Sequence, residues 1–180
     1  LGAVILNNTY KGRFRLDGNG VELSADTIQT NGPQVVLNPE TGTSVLGVVT
    51  ISNNAMFNCA SNAGVRIGTF NLGLAGFCGF RSRSTVHIRD LNMDEYAQFK
   101  APQNGFVQLS GNISKNKKNT FDPTNATFVF NGTAAQSFHF SVGSGAAGSN
   151  GACNFWNVEL NKSNTASATT YNLSGSDNTD

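Results

Sequence analysis

One acidic stretch of this sequence is better suited to chemistry than the rest. In "IRDLNMDEY", residues 88–96, the carboxylates of Asp90, Asp94 and Glu95 follow the basic Arg89. Paired carboxylates in a groove can hydrolyse a glycosidic bond, and acidic side chains beside a basic residue can hold calcium on a polysaccharide. These three carboxylates are therefore the candidates for a calcium or sugar site.

An ordinary strand explains the same stretch. Asp90, Asn92 and Asp94 alternate with Leu91 and Met93, so a strand would carry the polar residues on one face and the apolar residues on the other. That pattern is typical of a half-buried strand with a solvated face, which we favour over a metal or catalytic site. We therefore assign no catalytic residue, no metal ligand and no cofactor.

The histidines and cysteines do not assemble a recognisable site. His87 and His139 lie in separate alternating segments, which gives no support to a catalytic triad. The spacing of Cys59, Cys78 and Cys153 fits no zinc motif. An odd number of cysteines cannot pair completely in a monomer. We favour small buried apolar residues, with a disulfide between Cys59 and Cys78 as the alternative.

Short alternating apolar segments must position all of these residues. "QVVLN", "SVLGVVTIS", "STVHIRDLNM" and "ATFVFNG" are examples, and Gly, Asn, Asp, Ser or Pro bounds nearly every one. No window has the apolar spacing of an amphipathic helix. The sequence therefore predicts an all-β protein with many short strands, and the small-residue segment 141–153 is predicted to be a loop that leaves the strands.

A repeated pattern chooses among all-β architectures. "VTISNNAMF" begins at Val49 and its counterpart "LNMDEYAQF" begins at Leu91, while "NATF" at 125–128 partly echoes "NAMF" at 54–57. Two rungs of about 21 residues each would give the spacing from Val49 to Leu91 in a parallel β-helix, whose rungs stack about 4.8 Å apart. We predict a single-domain, right-handed parallel β-helix, with a β-sandwich as the alternative. Residues 45–180 would form the rungs, and residues 1–44 a cap or an adjoining module.

Composition limits the classes of partner. The net charge is +1 and 13% of residues are charged, which argues against a nucleic-acid-binding protein. Lys115, Lys117 and Lys118 form a basic cluster that we interpret as a solvated loop. No apolar run is long enough for a membrane-spanning helix. Because the chain begins at Leu1, we expect a processed protein or a fragment of a longer one.

Four segments resemble the repeated modules of very large cell-surface proteins of Bacteroidetes. They are "VTISNNAMFNC", "VQLSGNISKN", "FVFNGTAAQSF" and "FWNVELNKS", and the resemblance extends over about residues 45–172. Proteins of that kind are typically exported by the type IX secretion system and act as adhesins, including gliding-motility adhesins, or as surface scaffolds. "DTI" at 26–28 resembles the O-glycosylation motif of the same bacteria, in which Thr27 would carry the sugar.

The resemblance implies a secreted, structural or adhesive module rather than an enzyme. Its partners would be surface polysaccharide or other cell-surface and secretion proteins. It would bind no nucleic acid and would not itself span the membrane. Two alternatives stay open: a β-helix polysaccharide lyase or glycosidase, and a viral or phage fibre or coat protein.

Trp156 and Tyr171 alternate away from apolar neighbours, so we expect them at an exposed rim.

Overall fold

The computed structural model describes the chain in twelve segments. They are residues 3–6, 13–18, 24–31, 34–39, 44–52, 55–59, 64–116, 118–140, 142–143, 155–161, 171–174 and 177–178. Side chains are described at 45–52, 55–59, 64–116, 118–139 and 155–161. All regular elements within these segments are β-strands, and none of the described residues belongs to a helix that could cross a lipid bilayer.

The strands are numbered in chain order. They are β1 (Ala3–Leu6), β2 (Arg13–Gly18), β3 (Ser24–Asn31), β4 (Gln34–Pro39), β5 (Ser44–Ser52), β6 (Met56–Cys59), β7 (Val65–Leu72), β8 (Phe77–Phe80), β9 (Thr85–Met93), β10 (Gln98–Lys100), β11 (Phe106–Leu109), β12 (Ile113–Lys115), β13 (Thr120–Asp122), β14 (Thr127–Phe130), β15 (Gln136–Phe140), β16 (Val142–Gly143), β17 (Asn157–Leu160), β18 (Tyr171–Ser174) and β19 (Asp177–Asn178).

The strands form two main parallel sheets. The first sheet has the order β1-β3-β5-β7-β9-β11-β14-β17, with β12, β15 and β18 continuing from the second half of β9. The second sheet has the order β13-β10-β8-β6-β4-β2. A further parallel pair joins β16 to β19. Successive neighbours in each sheet alternate along the chain, so the backbone winds as a β-solenoid, and from β1 to β10 the strands fall alternately in the first and second sheets.

The rungs stack in constant register over the middle of the chain. Val49 pairs with Phe70 and Phe70 pairs with Leu91, so the two copies of the repeated pattern lie two rungs apart and in line. The predicted β-helix and its 21-residue period are therefore confirmed, and the β-sandwich alternative is not. The right-handed sense of the winding stays a prediction.

The echo between "NATF" and "NAMF" is not a structural repeat. Phe57 lies in β6 of the second sheet and pairs with Cys78, whereas Phe128 lies in β14 of the first sheet and pairs with Val107. The two motifs therefore occupy different positions on the rung. The prediction was wrong here because a four-residue match carries too little information to fix a register.

The strands before residue 45 join the same stack. β1 pairs with β3, β2 with β4, and β3 with β5, all in parallel. These strands therefore add rungs to both sheets. The proposed division of the chain at residue 44 stays a prediction.

In the long strands of the first sheet, the alternation of buried and outward residues shifts by one position in the middle of the strand. In β7 the buried residues are Val65 and Ile67 in the first half and Phe70 and Leu72 in the second, so two half-buried residues separate the halves. Gly68 lies at this change, and a Cβ there would stand 2.4 Å from the carbonyl oxygen of Gly47 on the rung before. A side chain at position 68 would collide with that backbone, which explains glycine at this point of the strand.

A continuous row of aromatic rings fills the core. Phe57 contacts Phe80 with centroids 6.3 Å apart, and Phe80 contacts Phe99 at 5.8 Å. Phe99 lies almost flat on Phe121, with centroids 5.4 Å apart and planes at 11°. Phe121 then contacts Phe128 at 5.4 Å. Apolar burial and ring contacts of this kind are the main stabilising terms in a fold whose strands are short.

The turns that connect the sheets also stack on one another. Ala75 and Tyr96 have positive φ values of 53° and 59°, and each occupies the third position of a four-residue turn. The N–H of Ala75 donates to the carbonyl of Glu95 at 3.0 Å, and the N–H of Tyr96 donates to the carbonyl of Lys118 at 3.0 Å. The left-handed conformation therefore directs these N–H groups towards the next rung.

Lys115 was wrongly predicted to lie in a solvated loop. It lies in β12, in register with Met93, and its side chain is 0% exposed. Lys118 lies in the following turn, with its ammonium 5.7 Å from the centre of the Tyr96 ring. Lys117 lies outside the described residues. The basic cluster is therefore divided, because its first member occupies an inward position of a strand.

Candidate functional site

The outward face of the first sheet carries two rows of polar residues. The first row follows the first halves of the long strands, where Arg66, His87 and Gln108 are in register. The second row follows the second halves, where Asn71 is in register with Asn92 and then with Ser114. Each row adjoins a groove, and these two grooves are the candidate sites.

The amide groove is lined by Asn71, Asn92, Asp94, Ser114, Asn116 and His139, and has a volume of about 470 Å³. Its amides bind one another along the stack. Asn92 Nδ2 donates to Asn71 Oδ1 at 2.9 Å, and Asn71 Nδ2 donates to Thr50 Oγ1 at 3.3 Å. These bonds join three rungs, so the row stabilises the stack and is held in one conformation.

The carboxylates singled out in the sequence hold local structure. Asp90 accepts hydrogen bonds from Arg89 Nε at 2.7 Å and from the N–H of Asn112 at 3.0 Å. Asp94 accepts from the N–H of Glu95 at 2.8 Å and from Asn116 Nδ2 at 3.3 Å. Glu95 lies in the turn itself. No three acidic, histidine or cysteine side chains among the described residues are grouped to hold a metal ion.

The arginine groove is lined by polar residues of three rungs and by apolar residues beside them, and has a volume of about 610 Å³. The polar residues are Arg66, His87, Arg89, Gln108, Ser110 and Asn131, and the others are Val45, Leu46, Ile67, Gly68 and Ile88. Arg66 is exposed, and the described residues give its side chain no hydrogen bond and no ion pair. Arg89 is fixed by Asp90 and by Thr69, whose Oγ1 accepts from Nη2 at 3.0 Å. The groove therefore offers one fixed and one unengaged guanidinium.

Burial and positive charge keep His87 neutral in this groove. Its pKa is lowered, first by partial burial of the ring and second by the charge of Arg66. On the other side of His87 lies Gln108, whose Oε1 accepts from Asn131 Nδ2 at 3.2 Å. The three rungs thus present a cation, a neutral imidazole and a pair of bonded amides in sequence.

The two histidines are not brought together. His87 lies in the arginine groove and His139 in the amide groove. The two grooves adjoin different halves of the first sheet.

The disulfide alternative does not fit the register. Cys59 and Cys78 are buried thiols that are not bonded to each other. Phe57 pairs with Cys78 and Cys59 pairs with Phe80, so the cysteines lie on adjacent strands two residues out of register. Strand spacing and rise then separate their Cα atoms by about 8 Å, beyond the roughly 7 Å limit of a disulfide. Burial raises the pKa of the Cys78 thiol, which makes it unreactive.

The remaining candidates from the sequence lie partly within the described residues and partly outside them. Thr27 lies within β3 and pairs with Ala3 and Val48, and its glycosylation stays a prediction. Trp156 is 65% exposed, which confirms the expected exposed position. The side chain of Tyr171, the residue Cys153 and most of the loop 141–153 lie outside the described residues.

Sequence reasoning missed the arginine groove although a signal was present. Arg66 stands between the apolar residues Val65 and Ile67 in an alternating strand, and this pattern predicts that its side chain points outward. Applying the 21-residue period to polar positions would have placed His87 and Gln108 in the same row (66, 87, 108). The residues of this row are far apart in sequence because each comes from a different rung.

Comparison of the chain with known protein families, curated proteins and solved structures found no match.

Proposed function

We propose that this chain is a structural and adhesive module of a large secreted bacterial cell-surface protein. The observation that carries the proposal is the unbroken parallel stack, in which backbone pairing links β1 through to β17 in a single sheet. Solenoids of this kind provide length and an extended surface, because each repeat contacts only its neighbours. The resemblance to Bacteroidetes surface proteins supplies the bacterial and extracellular parts of the proposal.

The outward rows support an adhesive role. Asn71 and Asn92 are bonded to each other across rungs, and Asn131 is bonded to Gln108. Polar side chains that are already fixed lose little entropy when they contact a partner. A regular row of such groups along a stiff stack is suited to binding an extended partner.

The enzyme alternative is a polysaccharide lyase or glycosidase. The carboxylates that would serve it, Asp90 and Asp94, accept two hydrogen bonds each from groups that hold the fold. This use of both carboxylates in local structure favours the structural proposal.

The viral or phage fibre alternative would require symmetric assemblies of the chain. Measurement of the particle size in solution would detect them.

Location is the first test of the proposal. Antibodies raised against the purified chain should label intact cells of the source organism, and external protease should remove that label. A cytosolic marker protein should remain intact in the same cells, which controls for lysis. Label that appears only after the cells are broken would overturn the proposal.

Turnover is the second test. The purified chain should release no reducing ends and no unsaturated products from a panel of polysaccharides, with or without calcium. Turnover that is lost in the Asp94→Ala variant would replace the structural proposal with the enzyme alternative. The Glu159→Ala variant, at an exposed carboxylate of β17, is the matched control.

A further inference from the structure

We propose that the arginine groove binds an acidic polysaccharide, with Arg66 as the principal contact to its anionic groups. The inference rests on the proposed surface function and gives it a ligand class. Among the described residues Arg66 is the groove cation that no carboxylate engages, whereas Arg89 is paired with Asp90 at 2.7 Å. The groove is therefore left with an uncompensated positive charge.

The arrangement of the groove suits an extended ligand. Arg66 lies on β7, His87 on β9 and Gln108 on β11, so consecutive rungs present consecutive polar groups. Rungs in a parallel stack are about 4.8 Å apart. A chain laid along the solenoid axis would meet a new group at each rung, and a sugar ring is similar in length to that step.

The side-chain chemistry matches the two kinds of group on an acidic sugar. A guanidinium binds a carboxylate or a sulfate through two parallel hydrogen bonds. The amide pair Gln108 and Asn131, together with Ser110, can donate to and accept from hydroxyl groups. His87 is held neutral and can also bind a hydroxyl.

The same lining argues against other anionic polymers. The described groove residues include no phenylalanine, tyrosine or tryptophan ring on which a base could stack, and stacking on large aromatic side chains is a general feature of single-strand nucleic-acid binding. The protein as a whole has a net charge of +1, without the strongly basic character of nucleic-acid-binding proteins. Amide and hydroxyl groups around one free arginine fit a sugar chain, whose hydroxyls outnumber its charges.

Binding measured by titration calorimetry on the purified chain tests the proposal. The probes are a polygalacturonate oligomer for carboxylated sugars, dextran sulfate for sulfated sugars, uncharged dextran, and polyglutamate as an anionic peptide. We expect one or both acidic glycans to bind, uncharged dextran and polyglutamate to bind much more weakly, and affinity to fall as salt is added. The stronger of the two acidic glycans identifies the anionic group.

Arg66→Gln should weaken the binding of the acidic glycan about tenfold or more, the loss expected for one charge-assisted contact. Lys100→Gln removes a positive charge from an exposed position of the second sheet and should leave affinity unchanged. Both positions are exposed, so both variants should melt like the parent chain, and Arg66→Glu provides a second variant with a larger effect.

Three results would overturn the inference: no binding of either acidic glycan, equal binding of polyglutamate, or equal losses in the Arg66 and Lys100 variants. None of these affects cell-surface labelling, which tests the proposed function separately. Conversely, glycan binding that depends on Arg66 in a protein found inside the cell would refute the surface proposal and leave the groove assignment intact.

Discussion

Single residues in left-handed turns carry the local strain of this fold. Six described residues other than glycine have positive φ, among them Ala75, Arg83 and Asn104. A residue with a Cβ is disfavoured in this region by about 1–2 kcal/mol. The backbone accepts this cost because the left-handed turn allows an N–H to bond with the neighbouring rung, as Arg83 does with the carbonyl of Gln103 at 2.8 Å.

Ala75→Gly should stabilise the protein. Glycine removes the steric cost at φ 53° but increases the entropy of the unfolded chain, so the net gain in the free energy of unfolding is up to about 1 kcal/mol. Urea unfolding measures it. Ala135→Gly, at an exposed position without positive φ, is the control and should destabilise. Equal destabilisation of both variants would show that Ala75 is not strained.

His87 should make stability depend on pH. Its folded pKa lies below the ordinary value of 6.5. Above that value both states are neutral and no penalty arises. As the pH falls below 6.5 the unfolded chain takes up a proton that the folded chain resists, so stability falls.

The difference between the parent chain and His87→Gln isolates this effect, because the two proteins differ at this one titratable group. Unfolding measured from about pH 8 to about pH 5 should show the parent losing more stability than the variant. Parallel curves for the two proteins would contradict the lowered pKa.

Residue-scale sequence reading succeeded for alternation and failed for special positions. It placed Asp90 and Asn92 on one face with Leu91 and Met93 on the other, as the burial pattern of β9 shows. It missed the burial of Lys115, because a charged residue is assigned to solvent unless its strand register is known. Register is a property of the whole rung and is not visible in the residues around a single lysine.

At the scale of elements, the aromatic row determines how firmly the two sheets hold together. Phe99 lies at its centre, in β10, between Phe80 and Phe121. Its side chain is fully buried and forms contacts with rungs on both sides. Removing it would therefore leave a cavity that neither neighbour can fill alone.

Phe99→Ala should lower the free energy of unfolding by about 3–5 kcal/mol, the usual loss for a buried phenylalanine. Phe106→Ala is the matched control, because Phe106 is 45% exposed on β11, and its loss should be clearly smaller. Chemical denaturation of both variants provides the comparison. Similar losses would mean that the aromatic row does not carry the core.

The rung period could be predicted from the sequence only where it is constant. Val49 and Leu91 fall in line because both pair with Phe70 and the two rungs between them are equally long. Beyond β11 the rungs lengthen, since the pairs Ile113 with Phe138 and Thr127 with Asn157 are further apart in the chain. Insertions of unequal length remove the periodic signal, although the strands continue to stack.

At the scale of the whole molecule, the constant register allows one rung to be removed. Val65 pairs with Val86, so deletion of residues 65–85 takes out one complete rung and brings β5 against β9 in the original register. In the second sheet Phe57 would then pair with Phe99, since both pair with Cys78 in the parent chain. Every inward position keeps an inward neighbour.

The variant lacking residues 65–85 should therefore fold and unfold cooperatively, with the lower stability of a shorter stack. The variant lacking residues 66–85 keeps one extra residue in the rung, which must bulge from a turn or reverse the faces of the strand that follows, so it should be less stable than the in-phase variant. Circular dichroism and thermal melting compare the two. Equal stability of the two variants would contradict the register.

Parallel stacking also determines how the chain responds to tension. The interstrand hydrogen bonds of both sheets run along the solenoid axis, and from β5 to β11 successive strands are joined by connections of only a few residues. Pulled from its two ends, such a stack would peel from the loaded end and release the length of one rung at a time. A chain that lengthens in small steps of this kind would dissipate a sudden load before a contact at its far end is broken.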